Sequence, residues 1–363
     1  MKPPRPDAPH RRGRAASSNA VGRYEAWQRE ACDDGWVGAE APAHAVPTEL
    51  TFDSSRSLIS CNDSPDVPFA QSANPYRGCE HGCIYCYARP SHAYLGYSPG
   101  LDFETRLVAK PAAAELLRRE LARPGYRCQP LALCGNTDGW QPIERPLRLT
   151  RALLEVLAEC RHPVGIVSKA ALIERDLDLL TGLARDGLVH VAISLTTLDA
   201  TLARRLEPRA ASPQRRLATI RRLSEAGVPV GVMIAPILPG LTDHELESLL
   251  TAARKAGARY ANWQLLRLPL EVVDLFREWL AVHYPERAAR VLGLIAEMRG
   301  GALNDRRFRE RMRGEGPLAD LLRQRFHLAC RRLGLNPDWP ELRCDLFRPP
   351  ALRPAVTAQM QLF

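Results

Sequence analysis

Five short apolar runs recur along the middle of the chain: Leu131–Cys134, Val164–Ser168, Val189–Leu195, Val230–Ala235 and Tyr260–Leu266. They are rich in Val, Ile and Leu, the composition of strands buried on both faces. Between them, apolar residues recur at helical spacing over Leu149–Cys160, Leu172–Arg185, Pro213–Ala226 and Asp243–Ala256. Arg175, Asp176 and Asp178 form the polar face of the second stretch. Gly187, Gly227 and Gly257 follow the last three stretches, where a left-handed residue commonly ends a helix. Alternation of this kind predicts a parallel sheet. With Ser72–Tyr76 as a short first strand, the count is six βα units, and functional groups belong at the C-terminal ends of the strands.

The pattern changes at both ends. Residues 1–50 are rich in Pro, Arg, Ala and Ser and read as a basic, largely disordered arm; the barrel pattern occupies 51–269. Residues 270–345 read as a helical extension, with two helices broken at Pro285 and further basic helices after them. Residues 346–363 form a Pro-rich tail. No run of about twenty apolar residues exists, and the N-terminus lacks the apolar core of a secretory signal, so no membrane partner is expected. Ten cysteines without a paired framework fit a reducing cytoplasm, with Cys32, Cys128, Cys160, Cys330 and Cys344 as ordinary thiols. The formal charge of +9 favours an anionic partner such as nucleic acid, carried by Arg11, Arg12 and Arg14 and by Arg306, Arg307, Arg309 and Arg311. A general bias towards Arg, Ala and Pro explains the same number without a partner.

The densest chemistry lies in GCEHGCIYCYA, where Cys79, Cys83 and Cys86 read CxxxCxxC. Three thiolates at this spacing can hold three irons of a [4Fe–4S] cube and leave the fourth open. An open metal position marks a reactive centre, as in catalytic zinc sites. The alternative is a structural zinc site with His81, His92 or Cys61 as fourth ligand.

The spacing, Tyr85 before the third cysteine and the lead-in NPYRG resemble the radical S-adenosylmethionine (SAM) superfamily. The resemblance implies a partial (β/α)6 TIM-like barrel with, here, a helical C-terminal extension. It implies a [4Fe–4S] cluster whose open iron binds SAM, reductive cleavage to a 5′-deoxyadenosyl radical, and an electron donor such as flavodoxin or ferredoxin. By position, Asn136 and Asp138 in GNTD stand where the superfamily has a Gly-Gly-Glu motif for the SAM ammonium. Lys169 after the third strand stands where it can pair the SAM carboxylate. Ser194 and Thr196 share a strand face towards the ribose or carboxylate, and Glu207 and Arg209 flank Pro208 as a clamp. Ile237, with Leu238, would form an apolar shelf for adenine.

The segments NPYRGCEHGCIYCYARPSHAY, TDGWQPIE, SKAALIERDLDLL and EPRAASPQRRL are similar to the spore photoproduct lyase-like branch. That branch implies DNA repair, and a strand cysteine that returns a hydrogen atom; Cys134 occupies a similar place. The similarity does not extend past Leu270, so a radical SAM enzyme acting on a protein or small molecule is the first alternative. A non-enzymatic Fe–S or zinc nucleic-acid-binding protein is the second. The last five residues resemble the Gln-x-x-Leu-Phe peptide that docks on sliding clamps, with Gln359, Leu362 and Phe363 as anchors and Pro349, Pro350 and Pro354 keeping it extended. The competing reading folds Leu362 and Phe363 back onto the barrel.

Overall fold

The computed structural model describes residues 13–25, 46–338 and 341–351. The strands are β1 (Glu49–Phe52), β2 (Ile59–Cys61), β3 (Gln71–Ala73), β4 (Tyr76–Arg77), β5 (Arg106–Ala109), β6 (Leu131–Leu133), β7 (Val164–Ser168), β8 (Val189–Ser194), β9 (Val230–Ile237) and β10 (Tyr260–Leu265). The helices are α1 (Asp102–Thr105), α2 (Ala113–Leu121), α3 (Glu144–Leu147), α4 (Leu149–Glu159), α5 (Leu177–Arg185), α6 (Ala200–Leu206), α7 (Pro213–Glu225), α8 (Leu246–Lys255), α9 (Val272–His283), α10 (Pro285–Glu297), α11 (Glu310–Arg313) and α12 (Pro317–Leu333).

The main sheet has the order β10-β9-β8-β7-β6-β3-β2. Its six strands from β3 and β6 to β10 run parallel, and β2 closes one edge antiparallel to β3. The sheet is a partial barrel with six parallel strands, as the alternation predicts. Gly187, Gly227 and Gly257 all take positive φ just past their helices. Two predicted helices begin with a tighter 3-10 turn instead, at Ala171–Asp176 and Asp243–Glu245. A second sheet, β1-β5-β4, is invisible in the apolar pattern because its strands are two to four residues long.

Strand alternation divides the side chains sharply. Leu131, Val164, Ile166, Val191, Ile193, Val232 and Ile234 face the surrounding helices and form the main core. The opposite face carries Ala132, Gly165, Val167, Ala192 and Ala235. Filled barrels place bulky branched residues inside. Here small residues alternate with His190 and Met233, and Val167 is 44% exposed in mid-strand, so solvent reaches the interior face of β7. Gly165 also leaves room for a neighbour: a Cβ there would lie 3.1 Å from the His190 ring.

A smaller second core joins distant parts of the chain. Cys83, Ile84 and Tyr85 pack with Leu202, Leu206, Leu238 and Leu241, with Leu275, Phe276, Trp279 and Leu280 of α9, with Val291 and Ile295 of α10, and with Ala16. The helical extension therefore seals the outer side of the cysteine loop.

The N-terminal segment departs from the expected arm. Arg14 is buried and donates to the carbonyls of Glu104 at 2.6 Å and Val46 at 2.9 Å, and to the Thr48 hydroxyl at 3.1 Å. The N–H groups of Ala15 and Ala16 donate to the Glu104 carboxylate. Arg14 is thus a structural cation rather than a nucleic-acid contact, while Arg11 and Arg12 lie outside the described residues. So do Gln359, Leu362 and Phe363. Among the described residues, no helix is long and apolar enough to cross a membrane.

Candidate active site

The cysteine loop leaves β4 at the C-terminal end of β3 and is wound tightly by its own backbone. Gly82 N–H donates to Cys79 O at 3.2 Å, and Cys86 N–H to Cys83 O at 3.2 Å. Cys79 N–H reaches Phe103 O and Ile84 N–H reaches Leu206 O, which anchors both sides. Buried Arg89 gathers the turn from within: it donates to Cys83 O at 2.9 Å and Gly82 O at 3.1 Å and pairs with the buried carboxylate of Glu104 at 2.5 Å. Gly82 has φ +65°, and a Cβ there would lie 2.6 Å from Glu104 Oε2. Only glycine fits both demands.

The thiols of Cys79, Cys83 and Cys86 carry no disulfide. Burial pushes all three thiols above their ordinary value. Backbone N–H groups oppose that push: Asp138 N–H points at the Cys79 sulfur, and those of Ala88 and Arg89 at Cys86. N–H donors directed at sulfur stabilise thiolate and tune iron–sulfur clusters. Three thiols on one tight loop with such donors fit a cube ligated at three corners. Mononuclear zinc fits poorly. His81 Nδ1 sits 3.4 Å from Asp138, His92 Nε2 lies 2.9 Å from Arg106 O, and Cys61 is exposed on β2. Among the described residues, no group of three or more His, Cys, Asp or Glu side chains is arranged to hold one metal ion.

Beside this loop the ends of β7 and β8 meet. Lys169 donates through Nζ to Ser194 Oγ at 2.6 Å, and Ser194 Oγ donates to Ala235 O at 3.1 Å. The Lys169 ammonium stands 5.9 Å from the Tyr85 ring centroid and within electrostatic reach of Cys83 and Cys86. Among the described residues, no carboxylate lies within ion-pair distance of it. Beneath it, Tyr85, Thr196 and Arg216 all donate to the carboxylate of Glu207. Burial opposes ionisation of Glu207, but Arg216 and Lys169 outweigh it and hold the group down to about 2.

The structure brings Tyr85, Lys169, Ser194, Thr196 and Glu207 together beside the cysteine loop. The other expected residues have different surroundings. Glu207 and Arg209, expected to clamp ribose and carboxylate from either side of Pro208, have different partners: Arg209 pairs with Glu80 at 2.9 Å and Glu207 with Arg216. Sequence spacing cannot separate the two arginines, but Arg216 lies in the first turn of α7, directed back at the Ser194 carbonyl at 3.0 Å. The Asp138 carboxylate is not free for an ammonium. It accepts from Lys169 N–H at 2.7 Å, Ser168 Oγ at 2.8 Å and Trp140 N–H at 2.9 Å. Burial pushes its pKa up, but His81 and these donors hold it down to about 2. His81, inside the CxxxCxxC run, is the partner that sequence reasoning missed. Asn136 is exposed, and its N–H donates to Asn74. Ile237 is buried in the main core, 1% exposed, and has no face to offer adenine. Cys134 also faces that core: a Cβ at Gly139 would lie within contact of its sulfur, and Thr150 hydrogen-bonds it.

The Radical SAM superfamily model matches residues 73–253, about half of the chain. Uncharacterized proteins of Mycobacterium tuberculosis and Mycobacterium bovis are 41% identical over 226 residues, 62% of this chain and 66% of theirs, just under two thirds of their length. A protein of Pseudomonas phage M6 named radical SAM Nalpha-GlyT isomerase is 24% identical over 63% of this chain and 46% of its own. Among solved structures, a cysteine-to-serine mutant of spore photoproduct lyase superposes with TM-score 0.54 at 15% identity, covering 80% of this chain and 86% of that one. Spore photoproduct lyase complexed with dinucleoside spore photoproduct gives TM-score 0.52 at 14% identity, covering 79% and 80%. The cysteine motif lies inside the matched region, and the chain belongs to the radical SAM superfamily.

Proposed function

We propose that this chain holds a [4Fe–4S] cluster on Cys79, Cys83 and Cys86, binds SAM at the adjacent rim and abstracts hydrogen from a nucleic-acid substrate, in repair or modification of DNA. The observation that carries the reading is Lys169, an ammonium beside two of the three thiols with no carboxylate at ion-pair distance and the nearby Glu207 already held by Arg216. When bound, the cluster supplies the electron that cleaves SAM to a 5′-deoxyadenosyl radical.

The chain's own residues set the conditions for that step. Lys169 and Ser194 present an ammonium and a hydroxyl that orient the SAM carboxylate through a charge-assisted hydrogen bond. Glu207 is a positioning residue: it fixes Tyr85, Thr196 and Arg216 and keeps a negative charge near Lys169. Asn136, exposed after β6, is available to the SAM ammonium. The second core excludes water from the outer side of the loop. The interior face that solvent reaches leaves space for a substrate against the small residues of β6 to β9.

Three features favour nucleic acid: the charge of +9, the solvent-reached interior face, and the fold of a lyase solved with a dinucleoside photoproduct. An electron donor of the flavodoxin or ferredoxin kind and a cytoplasmic setting belong to the same reading. The test is anaerobic purification with iron and sulfide assay, then 5′-deoxyadenosine formation from SAM and a reductant, then ultraviolet crosslinking to nucleic acid. A fully loaded protein that makes no 5′-deoxyadenosine sinks the enzyme reading. Turnover without any crosslink moves the substrate to proteins or small molecules.

A further inference from the structure

Arg267 follows the end of β10, on the same rim as Lys169 and Ser194, and lies within electrostatic reach of Tyr87, the residue after Cys86. Its guanidinium has five donors. One contacts the Met312 sulfur at 3.6 Å, and buried Nε has no acceptor. Among the described residues, no carboxylate lies within ion-pair distance of Arg267.

Its surroundings make this unusual. Buried Arg299 sits close by, with its guanidinium donating to the carbonyls of Leu266 and Arg311 and to no carboxylate. Arg311 is neutralised by Asp66, and Arg307 by Asp305 and Glu315. Asp66, Asp305 and Glu315 thus make their close ion pairs with other arginines. Arg267 and Arg299 are left in a partly dry site with Asp66 and Asp305 acting on them only from beyond ion-pair distance, and Arg267 works against Arg299. Folding gains nothing from such a pair: burying unpaired cations is costly, and their mutual repulsion adds to the cost. A planar fork with unused donors at the C-terminal rim of the sheet matches a phosphate oxygen pair.

We propose that Arg267 anchors a phosphate group of the substrate at the β10 rim, with Arg299 as a fixed charge behind it. The proposal rests on the nucleic-acid reading of the same site and names the contact that would hold the strand. It also assigns a role that the exposed arginines of the extension do not fill.

The test uses full-length, cluster-loaded protein under anaerobic conditions and a fluorescein-labelled single-stranded DNA oligonucleotide, followed by polarisation at several salt concentrations. Arg267→Gln should weaken binding about tenfold or more and make the salt dependence shallower by about one counterion. Arg267→Lys, which keeps the charge and loses the fork, should fall between the two. Arg323→Gln, on an exposed arginine paired with Asp320, should bind as wild type. The melting temperature of Arg267→Gln should stay unchanged or rise, because a charge without a partner is removed. Wild-type affinity and salt slope in Arg267→Gln overturn the site while leaving the nucleic-acid reading intact. Weaker binding that tracks a lower melting temperature in both variants also overturns it, since the role is then structural. No binding by the wild type at low salt overturns the site and the nucleic-acid reading together.

Discussion

Lys169 on the end of β7 and Ser194 on the end of β8 share a hydrogen bond of 2.6 Å, and neither contacts a carboxylate. Neighbouring parallel strands bring them together, so their separation is set by the sheet rather than by a loop. Lys169→Ala and Ser194→Ala should each weaken SAM binding while iron content stays at wild-type level. A charge-assisted hydrogen bond is worth about 1.5–3 kcal/mol, so Lys169→Ala should cost at least tenfold in SAM affinity. Equilibrium dialysis with labelled SAM checks it; normal binding in both variants removes this pair from the site.

Cys79→Ala, Cys83→Ala and Cys86→Ala should each abolish the brown chromophore and SAM cleavage together. Iron per chain and visible absorbance after reconstitution measure this. A single variant that keeps a full cluster would show that the ligands lie elsewhere.

Gly82→Ala should act like a ligand loss without touching a ligand. Left-handed φ costs a non-glycine residue about 1–2 kcal/mol, and the new Cβ meets the Glu104 carboxylate. Iron content should fall, as should the melting temperature.

Glu207→Gln should destabilise the protein by about 3–5 kcal/mol, because it leaves Arg216 buried without its counter-charge. The double variant Glu207→Gln/Arg216→Met should recover much of that loss. The pH dependence has a definite sign. Glu207 falls from an ordinary 4.5 to about 2, and Asp138 from 3.8 to about 2. Both contribute stability above their ordinary values that is lost as pH falls through about 2. Urea melts from pH 6 down to pH 2 should therefore steepen below about 4.5 in the wild type and flatten in Glu207→Gln.

Arg14→Ala should cost stability, not nucleic-acid affinity. It strips donors from two carbonyls and a hydroxyl at a buried position, a loss of about 2–4 kcal/mol. Oligonucleotide binding at a temperature where the variant stays folded should keep its salt slope. A shallower slope would restore Arg14 to the binding surface.

The barrel was legible because its signals are local and repeated: apolar runs, helical spacing, and glycines past helix ends at Gly187, Gly227 and Gly257. The cysteine loop was legible because its spacing is short and contiguous. Partner choice was not. Whether Glu207 takes Arg209 or Arg216 depends on how α7 turns back over β8, and no pattern within a few residues encodes that. Cys134 and Ile237 lie at strand ends in the sequence, yet both face the helices, because the backbone turns at those points; Cys134 has φ 64°. Arg14 looked like one basic residue among many, and composition cannot show that a single member of a charged stretch is buried.

The second core gathers residue 16, residues 83–85 and helices reaching residue 295 around one loop. Its wall is therefore finished only when four fifths of the chain has been synthesised. A ribosome-bound intermediate ending before α9 would leave Cys83 and Tyr85 without their outer cover. Cys83 therefore gains its outer wall only after α10 has emerged, whereas Cys79, packed with Ala88 and Phe103, is covered by residues made much earlier.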